Sequence, residues 1–202
     1  MESITRSKPR RWVAFFSQTG SEIVNISKKI NRWPDLVVTN KQDDDTTNVE
    51  LVHRYRDVTD DGILRLPKWP TELDYDRAAD KLNYSILNGA WRENVFVTLH
   101  GYLRILPAGF TRSSNIFNGH PGAIHIHPEL KGFNPQKKAW EANHIRVGCV
   151  IHKVTPELDD GPIVEKCLIN NNFDSYKELE KALHVESTKL WINFLNDRLR
   201  NN

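Results

Sequence analysis

The sequence predicts a single α/β domain with a Rossmann-like, mostly parallel, twisted sheet flanked by helices, and three observations carry that prediction. Trp12-Val13-Ala14-Phe15-Phe16 is an unbroken apolar run, the mark of a strand buried on both faces of a parallel sheet. A small polar turn, Ser17 to Ser21, follows, then Ile23, Ile26 and Ile30 at helical spacing, then the apolar strand Leu36 to Thr39. Strand, helix, strand is a crossover unit of right-handed sense. The remaining chain keeps alternating strand-like runs with helical ones, without internal repeat or linker.

The further elements follow in order. Asp43 to Thr47 reads as a polar turn or helix cap. Residues 62–72 contain Gly62, Pro67 and Pro70, an irregular connection. Tyr75 to Leu87 is helical, with Ala78, Ala79, Leu82 and Ile86 apolar. Asn94 to Leu99 is a third strand, and a fourth begins at Ile116. Lys137 to Asn143 is a helix, Val147 to Val154 a fifth strand and Ile163 to Ile169 a sixth. Tyr176 to Leu199 is a long amphipathic helix carrying Leu179, Leu183, Leu190, Ile192, Phe194 and Leu195. A flexible basic tail over residues 1–11 and one catalytic domain over 12–202 are expected.

Composition narrows the class. The 202 residues are 39% hydrophobic and 27% charged with a net charge of +2, so the chain is globular and nothing in it calls for nucleic acid. No apolar stretch reaches membrane-spanning length and no signal-peptide core is present, so a cytoplasmic protein away from membranes is expected. Cys149 and Cys167 sit in apolar runs without metal spacing and read as buried free thiols in a reducing compartment.

Three segments carry chemistry, and ligands of such sheets bind at the carboxyl ends of the strands. In Phe117-Asn118-Gly119-His120-Pro121-Gly122, Asn118 and His120 are two apart and face one side of a strand. An amide can donate to a developing oxyanion, and an imidazole can donate and move a proton near neutral pH. Val154 to Val164 is a carboxylate-rich turn between strands; a carboxylate brought beside His120 would hold its tautomer. His100 to Pro107 mixes apolar residues with Arg104, suited to a flat ligand carrying carboxylates.

Together these segments resemble the folate-dependent formyltransferases, a family that includes the glycinamide ribonucleotide, methionyl-tRNA and sugar formyltransferases. The resemblance spans roughly residues 12–199 and rests on Gly101-Tyr102-Leu103-Arg104-Ile105-Leu106, Asn118-Gly119-His120-Pro121 and Glu157-Leu158-Asp159-Asp160-Gly161-Pro162. It implies 10-formyltetrahydrofolate as donor cosubstrate, no metal, and a small-molecule amine as acceptor. The pterin would lie along Leu103, Arg104, Ile105 and Leu106 and along Val154, Thr155 and Asp159. Asn118 and His120 would stabilise the tetrahedral oxyanion, and Asp159, favoured over Asp160 by its phasing, would hold His120 and a proton-relaying water. The acceptor would meet Ser17, Thr19, Gly20, Ser21 and Glu22, and Glu186 in the last helix matches a family carboxylate near it. The loop from Lys131 to Gln136 would cover it.

The first turn departs from the family. Gly20 and Ser21 fit its phosphate loop, but Glu22 stands where an Asn would, and an acidic side chain is unwelcome beside phosphate. Glycinamide ribonucleotide is therefore disfavoured against another nucleotide or a nucleotide-linked sugar. Three alternatives stay open: a formyltetrahydrofolate hydrolase, a non-catalytic folate or nucleotide binder, and a metal-dependent hydrolase using His120, His125 and His127 with Asp159. Phe133, Trp140 and Trp69 read as core aromatics rather than acceptor ligands. A homodimer is one candidate assembly.

Overall fold

The computed structural model describes residues 11–56, 63–82, 95–113 and 115–200. The expected N-terminal tail up to Arg10, Gly62, Ile86 and Asn94 lie outside them. The strands are β1 (Arg11–Phe16), β2 (Leu36–Thr39), β3 (Leu64–Arg65), β4 (Val95–His100), β5 (Asn115–His120), β6 (Arg146–Lys153) and β7 (Ile163–Asn170). The helices are α1 (Ser21–Ile30), α2 (Val49–Arg56), α3 (Glu72–Leu82), α4 (Ala108–Ser113), α5 (Pro135–Glu141) and α6 (Tyr176–Arg200).

One seven-stranded sheet runs in the order β3-β2-β1-β4-β5-β6-β7. The pairs from β3 to β5 are parallel; β5–β6 and β6–β7 are antiparallel. The chain leaves β1 toward β2 on one side and returns to β4 on the other, so the order reverses between β1 and β4. Loops diverge there and leave a crevice at the carboxyl edge.

The apolar run of β1 is buried on both faces, as its composition predicts. Trp12, Ala14 and Phe16 join Ile23, Val24, Ile26, Trp191, Phe194 and Leu195 under α1 and α6. Val13 and Phe15 join Tyr75, Ala78, Tyr102 and Phe110 under α3 and α4. Each large side chain so buried contributes about 2–3 kcal/mol. Cys149 and Cys167 are free thiols opposite each other on β6 and β7, with sulfurs 3.4 Å apart.

Some expectations need correction. The irregular stretch after Gly62 includes the edge strand β3, and α2 and α4 were not foreseen. Trp69 and Phe133 are not core: they are 71% and 73% exposed.

Candidate active site

Alternation along β5 sends Ile116, Asn118 and His120 to the α3/α4 face of the sheet, and Phe117 and Gly119 to the α6 face. The antiparallel register sets Asn118 opposite His152 of β6. Asp159 then enters from the β6–β7 loop in a left-handed backbone conformation, φ 49°. That conformation is uncommon for a residue other than glycine and is held by the contacts its carboxylate makes.

Those contacts form a compact, largely buried cluster. His120 Nδ1 lies 3.2 Å from Asp159 Oδ2, and His152 Nε2 lies 3.4 Å from Oδ1. The Asn118 amide nitrogen is 3.2 Å from His152 Nε2 and 3.5 Å from Asp159 Oδ1. The Gly132 N–H donates to Asp159 at 2.9 Å. On its far side His120 Nε2 donates to the Leu130 carbonyl at 2.9 Å, while His152 Nδ1 donates to the Lys153 carbonyl at 3.1 Å.

Two carbonyls thus fix one proton on each ring. His152 Nε2 is left as acceptor for Asn118, and His120 Nδ1 faces a carboxylate that favours a second proton. Burial pushes the His120 pKa below its ordinary value, and the charge of Asp159 and the Leu130 carbonyl offset this only in part. Burial pushes Asp159 up, but His152, His120 and the Gly132 N–H outweigh it and leave the carboxyl below its usual range. The neighbouring Asp160 turns outward and pairs with Lys131. Sequence reasoning missed His152. Its signal was an imidazole at the end of a buried strand just before the carboxylate turn.

A second carboxylate–imidazole pair occupies the other face. Glu22 Oε2 accepts from His100 Nδ1 at 3.0 Å, and Ser187 of α6 donates to Oε1 at 2.8 Å. His100 Nε2 contacts Thr98 Oγ1 at 2.8 Å, which accepts from the Trp12 indole at 2.7 Å. Burial raises the Glu22 carboxyl, yet His100 and Ser187 bring it below its ordinary value. Gly20 begins α1 at φ 70°, where a Cβ would also strike Leu51 at 2.6 Å. A cavity of about 170 Å³ opens between this loop and β5, bounded by Thr19, Ser21, Glu22, His100, Gly119 and Pro121.

The remaining sequence candidates are placed as follows. Ser17 Oγ bonds Asn40 at 2.6 Å and the Leu103 N–H at 2.9 Å. Leu103 and Ile105 are exposed and Leu106 is buried. Arg104 lies over the Trp69 ring at 4.1 Å and donates to the Lys68 carbonyl. Val154 bonds back to Ile116, and Thr155 to Glu157 within the loop. Glu186 pairs with Lys189 and lines a separate surface groove beside Phe173; α6 sends His184 and Ser187 to the cavity instead. The four-residue metal arrangement does not form. Residues 123–127 make a tight turn, with the Ile126 and His127 N–H groups on the Ala123 carbonyl, so His125 and His127 do not share a strand face with His120.

A model of the formyl transferase family matches residues 11–195. The chain belongs to that family. The fold agrees: phosphoribosylglycinamide formyltransferase from Campylobacter jejuni superimposes with a TM-score of 0.76 at 22% identity, covering 95% of this chain and 98% of that one. A formyltetrahydrofolate deformylase from Pseudomonas syringae gives 0.74 at 19% identity, covering 96% and 63%.

Curated relatives match locally. Mitochondrial formyltetrahydrofolate deformylase 2 of Arabidopsis thaliana is 37% identical over 73 residues, 35% of this chain and 21% of that protein. Methionyl-tRNA formyltransferase of Thermotoga maritima is 35% identical over 79 residues, 37% of this chain and 25% of its own length. The matched stretch is thus about a fifth to a quarter of these relatives. Among the described residues of this family member, no helix is long and apolar enough to cross a membrane.

Proposed function

We propose that residues 12–202 form one catalytic domain that transfers a formyl group from 10-formyltetrahydrofolate to an amine of a small-molecule acceptor, a nucleotide or nucleotide-linked sugar, in the cytoplasm. The convergence of His120 and Asn118 on Asp159 at the carboxyl edge, at 3.2 and 3.5 Å, carries the reading. In this reading the acceptor nitrogen attacks the formyl carbon, whose oxygen takes up negative charge. Asn118 gives up its weakest contact, the 3.5 Å approach to Asp159, and donates to that oxygen. His120, neutral in the resting site, takes a proton from solvent at Nδ1 as that charge develops beside Asp159, and then supplies a second donor and the compensating charge. Asp159 accepts the proton lost by the amine through a water, and it is returned to the departing folate nitrogen.

The folate would lie along the exposed Leu103 and Ile105, with Arg104 and Leu106 behind them and Val154 and Thr155 opposite. The acceptor would enter the cavity beside Ser17, Thr19, Gly20, Ser21 and Glu22. Glu22 supports an acceptor whose phosphate is absent or lies away from this loop, since a second anion there would meet a buried carboxylate. Its acceptor oxygens are already taken by His100 and Ser187, so it shapes the wall more than it grips the ligand.

The deformylase relatives favour one other reading, in which water replaces the amine. One assay separates the two: incubate the protein with 10-formyltetrahydrofolate, with and without a panel of amino-nucleotides and amino-sugar nucleotides, and follow tetrahydrofolate, formate and formylated product by mass spectrometry. Formylated product supports transfer. Equal formate release with and without amines would replace transfer by hydrolysis, and no turnover of the folate in any mixture would sink both.

A further inference from the structure

His127, Glu129 and His144 gather away from the catalytic cluster, where a 3-10 turn (Pro128–Leu130) meets the chain entering β6. Among the described residues they are the one group of three His, Cys, Asp or Glu side chains whose ligand atoms all lie within 4.8 Å. His127 Nδ1 is 3.3 Å and His144 Nε2 3.2 Å from the same oxygen, Glu129 Oε1. Charge-assisted hydrogen bonds are shorter, about 2.7–2.9 Å. A spacing of about 3.3–3.4 Å is the edge of a tetrahedron whose centre lies 2.0–2.1 Å from each corner, the bond length of zinc to imidazole and carboxylate.

A further observation points to a missing partner. His144 Nε2 is buried, and its 3.2 Å approach to Glu129 Oε1 does not make a hydrogen bond, a costly state for an imidazole nitrogen. The backbone, by contrast, is well held: Asn171 donates to the His144 carbonyl at 2.9 Å, and the Leu130 N–H to the His127 carbonyl at 3.0 Å.

We propose that His127 Nδ1, Glu129 and His144 Nε2 bind one divalent cation of the zinc class, with water as the fourth ligand. Two imidazoles select such a borderline ion over magnesium or calcium, which prefer oxygen. The side chains of His127 and Glu129 are 23% and 58% exposed, so water reaches the site. The two rings stack with centroids 3.7 Å apart. Because imidazole lone pairs lie in the ring plane, the rings turn apart when both nitrogens aim at one ion. The ion then ties the 123–131 turn to the start of β6. Leu130, whose carbonyl holds His120 Nε2, lies in that turn, so the site steadies the catalytic imidazole from behind.

The test is titration of the metal-stripped full chain with Zn²⁺ by calorimetry, and with Co²⁺ by visible absorption. The expected result is one ion per chain at micromolar affinity, intense tetrahedral Co²⁺ bands, and no competition from millimolar Mg²⁺. Glu129→Ala and His144→Ala weaken binding by at least about tenfold, whereas His144→Cys, which restores a zinc ligand, recovers it. Cys149→Ser with Cys167→Ser keeps binding, which separates this site from the thiol pair. Near-UV circular dichroism establishes that each variant is folded. Absence of saturable Zn²⁺ binding, or binding that persists in a folded His127→Ala, His144→Ala double variant, would overturn the proposal.

Discussion

The two carboxylate–imidazole pairs stand on opposite faces of one sheet edge, at the ends of neighbouring strands, yet they are built differently. Glu22 and His100 are closed in: hydrogen bonds of 2.8–3.0 Å tie the carboxylate to His100 and Ser187 and the ring to Thr98. Asp159 meets its two imidazoles and the Asn118 amide only at 3.2–3.5 Å, although its side chain is also largely shielded from solvent. Slack of a few tenths of an ångström leaves donors unsaturated and ready for a ligand's oxygen. Tight pairing spends the same chemistry on holding a wall. Residue types alone do not separate these roles; the distances do.

The sharpest way to break this comparison is to truncate each pair in turn. Asn118→Ala, His120→Ala and Asp159→Ala each lower turnover by about a hundredfold or more, the scale of losing an oxyanion donor or positioned acid–base, out of proportion to the change in melting temperature. Steady-state kinetics beside calorimetry checks this, and near-normal turnover in any of the three removes that residue's role.

Glu22→Ala reverses the balance. It strips partners from His100 and Ser187 and lowers stability by about 1–3 kcal/mol in urea titrations, with a smaller loss of turnover. If turnover fell a hundredfold at unchanged stability, the assignment of Glu22 to the wall would be lost.

Gly119→Ala touches both pairs at once. The new Cβ would lie 2.6 Å from the Trp191 indole nitrogen, on a ring fully buried and unable to swing away. Overpacking of this kind costs about 1–3 kcal/mol and displaces β5 between Asn118 and His120, so stability and turnover fall together.

The pH dependence is gentler. His120 has a folded-state pKa below its ordinary 6.5, so the folded state resists its protonation. Its contribution is fully present above about pH 6.5 and fades as pH falls through the lower folded value. His125, also lowered by burial, has the same sign. Urea denaturation from pH 8 to 5 should be flat and then decline, and His120→Asn should make the decline shallower. The smallest effect belongs to Asp160→Asn, which removes an exposed pairing with Lys131 and should leave stability within about 0.5 kcal/mol and turnover within about twofold.

Much of this architecture was legible where local pattern decides it. The apolar run of β1, the spacing of α1 and the strand Leu36–Thr39 announce themselves because both sheet faces are buried, and the three chemical motifs lie within short segments. What stayed hidden depends on distant pairing. β3 is two residues long and exists only because β2 offers its edge. His152 acquires meaning only through its register with Asn118, 34 residues earlier, and Glu22 through His100, 78 residues later. The turn over residues 123–127 defeats the strand-like spacing of His125 and His127, because the Ala123 carbonyl captures two N–H groups.

The packing of Trp191 against Gly119 and beside the His100 ring, 4.6 Å away, has a consequence for how the molecule is made. Chains emerge from the ribosome amino end first, so every strand of the sheet is available before α6 is complete. Until that helix docks, the backbone between Asn118 and His120 is open to water on one side, and Glu22 lacks Ser187. A ribosome-bound chain stalled before Trp191 would therefore hold the sheet without a finished site, and competence would arrive with the helix that is synthesised last among these elements.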